Sequence, residues 1–170
     1  MKHNQILKLT LAAMFAALCC VATMMIQVPS PMNGYVNLGD CFVLLSGFLL
    51  GPVWGTAAAG IGSMMADILT SYAHYAPGTL VIKGACALVA CLIYTAGKKS
   101  TLSAILGGFA AEVVMVAGYF AYAGLLLGKG LGAAASIPGN IVQGVFGLIA
   151  GVILLKVAEK SVPMFKKQTV

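Results

Sequence analysis

Charge is what this sequence has least of. Only 8% of its 170 residues are charged, four of them acidic, and arginine is absent. A soluble domain carries about a quarter charged residues, because water must be held at its surface. This chain cannot cover a water-facing globule, and a bilayer is the solvent that fits. The net charge of +6 comes from scattered lysines. A hydrophobic bundle without a basic face offers nothing to a phosphate backbone, so nucleic acid is excluded as a partner. Gly/Ser linkers, acidic tails and internal repeats are absent as well. One domain over residues 1–170 is expected.

Catalytic signatures are equally scarce. Residues 124–130 read GLLLGKG, but the G-x-x-x-x-G-K-[ST] spacing fails and no strand precedes them, so no phosphate-cradling loop is present. HExxH and GxSxG are missing. His3 and His74 fall at opposite membrane edges, and Cys19, Cys20, Cys41, Cys86 and Cys91 show no C-x-x-C spacing, so neither a metal nor a redox site is expected. Asp40 and Asp67 are the only aspartates, and neither stands in an intramembrane-protease context. The chain reads as a non-enzyme with no cofactor.

What is present is apolar: 61% hydrophobic residues and 21 glycines, the composition of close-packed membrane helices. A crossing takes roughly 20 apolar residues, so this length holds about six. The spans read as 6–27, 40–50, 53–72, 78–96, 102–127 and 137–157. Lys2, His3 and Lys8 before the first run resemble a secretory leader. That run is long, however, and ends in QVPSP rather than a small-x-small site, so an uncleaved helix is expected. Gly51-Pro52 marks a tight turn that forces the second and third spans into an antiparallel hairpin. Loops are expected at Val28–Leu38, Ser71–Pro77 and Gly128–Ser136. Eight of the ten lysines fall on the opposite end, which by the positive-inside rule makes both termini cytoplasmic. The fold expected is all-α: a polytopic membrane protein with six transmembrane helices in one compact bundle.

Polar residues inside the spans are costly and mark partners or cavities. Asp67 and Lys83, each about five residues from the outer end of its span, fall at similar depth and pair on this reading, either as scaffold or as ligand contacts. Asp40 opens the second span, as a helix cap or beside a ligand's route in. Asn140 and Gln143, three apart, share one face of the last span. Tyr119 and Tyr122 lie in the outer part of the fifth, where an aromatic belt is the plain alternative for both. Glu112, near mid-span, has no evident partner. The outer half therefore gathers the polar groups over an apolar floor, which suggests a pocket open to one side rather than a pore. In the first span, Ala12 and Ala16, and Ala13 and Ala17, sit four apart as a small-xxx-small surface.

Three stretches carry a resemblance: GYVNLGD (34–40), LLSGFLLGPVWGTAAAGIGSMMADIL (44–69) and YAPGTLVIKG (75–84). Together with the alanine-rich first span, they resemble the substrate-binding S components of energy-coupling-factor (ECF) vitamin transporters, of the riboflavin or hydroxymethylpyrimidine/pyridoxine type. The resemblance implies a multi-pass protein of the bacterial plasma membrane that captures a water-soluble vitamin or precursor, of pyridoxine, hydroxymethylpyrimidine, riboflavin or pantothenate class, under a capping first loop. It implies docking, through Ala12, Ala13, Ala16 and Ala17, onto an EcfT-type membrane coupling protein with two cytoplasmic ATPase subunits, and transport by toppling of the bundle. Family ligand contacts carried onto this chain give Asn37, Lys83, Tyr119, Asn140 and Gln143; Asp40 and Asp67 join them on position. The last span has no intramembrane lysine, a departure from a riboflavin-type site. The rival class is a stand-alone ion-coupled secondary transporter with Asp67, Lys83 and Glu112 as relay. It usually brings inverted repeats and helices broken at the midplane, and neither is visible.

Overall fold

The computed structural model describes residues 3–25, 27–30, 34–162 and 165. The described residues form an almost wholly helical bundle: α1 (His3–Met25), α2 (Asp40–Leu69), α3 (Ala76–Ala96), α4 (Thr101–Ala121) and α5 (Ile137–Ser161). All five are long and apolar enough to cross a membrane.

Helix α2 spans 30 residues but is not one rod. Gly51 has φ 83° and ψ −176°, a backbone region essentially closed to side-chain-bearing residues. Pro52 follows it and cannot donate to the helix ladder. Ser46 Oγ donates to the Gly55 carbonyl at 3.1 Å; a continuous helix would hold these residues about 13.5 Å apart. The chain therefore folds back at Gly51, and the hairpin read from Gly51-Pro52 is present as two limbs, 40–50 and 52–69. The first limb is buried on nearly every side through Val43, Leu44, Leu45, Phe48 and Leu49, as an all-round apolar helix must be. The other helices wrap it: α1 and α3 flank α2, α4 packs on α3, and α5 closes against both α4 and α2.

The outer helices divide by face. In α1, Ala12, Phe15, Cys19 and Thr23 point inward, at the three-to-four spacing of one helical stripe. Met14 and Val21 of α1, Phe109 and Val113 of α4, and Phe146 and Ile153 of α5 stand exposed. An apolar girdle of this extent is untenable in water and is what lipid requires.

Two loops have more structure than the sequence suggests. Val28–Leu38 contains an antiparallel hairpin, β1 (Gln27–Ser30) and β2 (Gly34–Asn37), with Val28 opposite Val36 and Pro29 opposite Tyr35. The facing β-branched pair favours extended chain, and a two-stranded ribbon tolerates a proline that an inner strand would not. The turn signals Pro31 and Asn33 lie outside the described residues. Gly128–Ser136 is likewise not open loop, since Gly130–Ser136 is a 3-10 helix. The fifth expected span stays α-helical only to Ala121, then widens into a π turn over Tyr122–Leu126.

Near the Gly51 turn the Phe48 and Tyr94 rings meet at 5.0 Å, and the Tyr94 hydroxyl donates to Glu159 at 2.6 Å. This end also carries Lys98 and Lys99. The β-hairpin closes the other end. A Cβ at Gly51 would touch nothing within 4 Å, so Gly51→Ala tests backbone strain alone. It is expected to destabilise the protein by about 1–3 kcal/mol, read as a lowered thermal unfolding temperature in detergent. An unchanged transition would mean that the turn does not depend on glycine.

Candidate functional site

At the hairpin end, side chains from four helices and three connecting segments converge on one cavity. It is lined by Tyr35, Asn37, Asp67, Tyr75, Thr79, Tyr119, Ser136, Asn140 and Gln143, and encloses about 40 Å³ of free space, room for no more than a few waters.

Beneath the cavity lies a closed polar clasp. Lys83, nearly the deepest charge in the chain at 3% exposure, forms an ion pair with Asp40. Its ammonium also meets Met115 Sδ at 3.0 Å and lies 5.5 Å from the Tyr119 ring centre. Gln143 Nε2 donates to the second Asp40 oxygen at 2.6 Å. Gln143 Oε1 accepts from the Asn37 backbone N–H at 2.8 Å and from Asn37 Nδ2 at 3.3 Å. Asn37 Oδ1 in turn accepts from Gly39 N–H at 2.8 Å. Buried charge and amide are thus satisfied together. Gly147 makes room for the clasp: a Cβ there would lie 2.6 Å from the Asp40 Cβ.

Two expectations are corrected here. Lys83 does not pair with Asp67. Asp67 lies two residues from the end of α2 and Lys83 seven from the start of α3, a mismatch of about 7.5 Å along the axis. The fold-back of α2 instead brings Asp40, on the first limb, to the lysine. Nor does Asp40 cap α2: the N-cap position is Gly39, and the two Asp40 oxygens are taken by Lys83 and Gln143.

The β-hairpin is latched over the cavity from the other side. The Tyr35 hydroxyl donates to Asp67 Oδ1, the Tyr35 and Tyr72 rings meet at 4.5 Å, and Gln27 Nε2 donates to Thr70 Oγ1 at 3.2 Å. Burial, reinforced by the Asp67 charge, pushes the Tyr35 phenol above its ordinary value, so it stays a donor. On the far wall Tyr75 packs on Tyr119 and Tyr122, with ring centres 6.3 and 6.1 Å apart. Lys129 donates to the Tyr75 hydroxyl at 2.8 Å. The Tyr122 hydroxyl donates to the His74 carbonyl at 2.9 Å, so Tyr122 ties the π turn to the loop before α3.

Of the residues singled out from sequence, Asn37, Asp67, Tyr119, Asn140 and Gln143 line the cavity, while Asp40 and Lys83 form the clasp below it. Tyr35, Tyr75, Thr79 and Ser136 were missed. A signal existed for three of them: Tyr35 sits in the GYVN stretch, and Tyr75 and Thr79 are four apart where α3 begins, hence on one face. Glu112 is half-buried against Gly144 and Gly147 of α5 and faces an apolar groove between α4 and α5, not the cavity. The alanine surface splits. Ala12 is buried, and Ala16 backs onto Gly62 of α2 so closely that its carbonyl leaves no room for a Cβ there. Only Ala13 and Ala17 remain exposed.

A buried pair is costly to break one side at a time. Asp40→Asn alone is expected to cost about 3–5 kcal/mol, measured by thermal unfolding in detergent, and the double variant Asp40→Asn/Lys83→Met to recover most of it. A double variant no more stable than the single one would show that charge pairing is not what holds this layer.

The arrangement has counterparts among known proteins. The chain is similar to a thiamine precursor transporter, HmpT, of Lactococcus lactis subsp. cremoris (strain MG1363), 28% identical over 163 residues that cover 95% of this chain and 93% of the relative. It is 39% identical over 132 residues to an uncharacterized Pyrococcus woesei protein from the gap 3' region, covering 77% of this chain and 87% of that one. Its fold superposes with a TM-score of 0.75 on a solved S component of a bacterial ECF transporter, at 25% identity over 94% of this chain and 99% of the other. The family model for the ECF-type riboflavin transporter, S component, matches residues 3–160. With a cavity lined by polar side chains at one end of an apolar bundle and that match over nearly its full length, the chain belongs to the S components of ECF-type transporters.

Proposed function

We propose that the protein is the membrane-embedded capture subunit of an ATP-driven importer for a water-soluble vitamin or precursor. The observation that carries this reading is the one-ended cavity: nine side chains line it, and the Asp40–Lys83–Gln143–Asn37 clasp seals its floor. Such a site holds a solute but gives it no way through. Energy must come from elsewhere, because the sequence has no nucleotide-binding loop. An EcfT-type coupling protein and two cytoplasmic ATPase subunits fill that role in this reading. The placement of Lys8, Lys98, Lys99, Lys156 and Lys160 at the Gly51 end argues for both termini in the cytoplasm of a cell-membrane protein, with the cavity outside. The two limbs of α2 then count separately among six membrane-embedded helices.

Asn37, Asp67, Tyr119, Asn140 and Gln143 are the proposed ligand contacts, with Asp40 and Lys83 holding Gln143 in place from below. The similarity to a thiamine precursor transporter favours a ligand of single-ring size. On α1 the docking surface narrows to Ala13 and Ala17, where small side chains let a partner helix approach closely.

The purified chain alone is expected to bind a member of a vitamin panel with nanomolar affinity and without an ion gradient, by calorimetry in detergent. Asn140→Ala is expected to weaken that binding at least about tenfold while leaving expression near normal. Proton- or sodium-driven uptake by this chain alone in liposomes would replace the reading with an ion-coupled carrier. Ala13→Trp and Ala17→Trp are each expected to keep ligand affinity and to lose uptake once coupling protein and ATPases are supplied. Undiminished uptake would move the docking face off this side of α1.

A further inference from the structure

Among the described residues, one fully buried polar atom of the cavity lining has no hydrogen-bond partner. Asp67 is 2% exposed. Its Oδ1 accepts from Tyr35, but its buried Oδ2 makes no hydrogen bond. The Thr79 hydroxyl lies against the same carboxylate and 3.0 Å from the Tyr119 hydroxyl, a contact in which either group can be the donor. A buried carboxylate oxygen without a donor is expensive, and native interiors rarely leave one. Here it belongs to a residue that lines the cavity, among the rings of Tyr35, Tyr75 and Tyr119. Asn140 lines the same space, and its amide has no hydrogen-bond partner among the described residues, so a donor and an acceptor remain free on α5.

We infer that Asp67 Oδ2 is a specificity determinant that accepts a hydrogen bond from an amino group on a flat, single-ring heteroaromatic ligand, with Asn140 reading a second polar atom of that ring. The inference rests on the capture-subunit reading above and deepens it. An acceptor-only oxygen selects ligands that bring an N–H donor and rejects those that bring only a carbonyl or a carboxylate. Offering a carbonyl there sets lone pair against lone pair, and a carboxylate sets charge against charge in a site with little water to screen it. The tyrosine rings supply flat apolar walls suited to stacking a ring. The class selected is therefore a neutral or cationic amino-substituted heterocycle. Anionic vitamins are selected against.

The test uses the full-length purified protein and four probes: a hydroxymethyl-substituted aminopyrimidine, its oxo counterpart with a carbonyl in place of the amine, riboflavin and pantothenate. Calorimetry is expected to show the amine bound about tenfold to a hundredfold more tightly than the oxo compound, the range for one hydrogen bond to a charged group. Asp67→Asn, which presents a donor in place of the acceptor, is expected to abolish or reverse that preference. Because this variant also alters the Tyr35 latch, Tyr35→Phe is measured beside it. That variant keeps the free oxygen and is expected to retain the preference for the amine even if overall affinity drops. Equal affinity for amine and oxo probes in the wild type, or a preference that survives Asp67→Asn, would overturn the inference. Tight binding of pantothenate or riboflavin with neither pyrimidine bound would overturn it while leaving the capture-subunit reading intact. No binding of any probe would count against both.

Discussion

A lysine buried in a bilayer protein has to be paired, and the rest of this architecture follows from how Lys83 is. Its partner, Asp40, is the first residue of α2, and Gln143 of α5 completes the carboxylate's hydrogen bonding. Gln143 then reaches the backbone of Asn37 in β2. One charge pair thus fixes the depth of α3 against α2, the register of α5 against both, and the seat of the β-hairpin. Removing any member leaves an unsatisfied polar group in a low-dielectric layer, where the cost is several times that at a surface. The clasp is therefore less a source of net stability than a condition on which arrangement of the helices is tolerated.

Small residues make that arrangement reachable. Gly147 lets α5 approach Asp40, and Gly62 lets α2 meet the backbone of Ala16. Between helices in lipid there is little hydrophobic drive, so association rests on close packing and shared hydrogen bonds. The bundle uses packing toward the lysine-rich end and hydrogen bonding toward the hairpin end. The cavity opens where the hydrogen-bonding layer runs out: above the clasp the helices no longer need to touch, and tyrosines rather than glycines face one another.

Much of this was legible in the sequence because it is one-dimensional information. Apolar run length gives the helices, Gly51-Pro52 gives the fold-back, and the clustering of Asp, Asn, Gln and Tyr at alternate span ends gives the polar end of the bundle. What could not be read depends on distances between elements. Equal counts from assumed span ends put Asp67 level with Lys83. A shift of a few residues in where α2 stops and α3 starts, together with the reach of a lysine side chain, gives the lysine to Asp40 instead. The hairpin was hidden because Pro29 argues for loop until its partner strand is known. Ala12 and Ala13 are chemically identical, and only the position of Gly62 decides which face of α1 turns inward. Tyr35 and Tyr75 are 40 residues apart, and only the hairpin and the start of α3 bring them to the same space.

The clasp also bears on how a captured solute could move. A route through the middle of the bundle would have to part Asp40 from Lys83 and strand both in an apolar layer, at several kcal/mol for each ion left alone. Just below the clasp, the first limb of α2 is apolar on nearly every side. The hairpin end is built differently. Its latch is a phenol–carboxylate contact and a few side-chain hydrogen bonds at the bundle's edge, each worth far less than the buried pair. Opening is thus cheapest at the hairpin and dearest at the floor. A protein so divided offers a bound solute no path through its own centre while the clasp is intact.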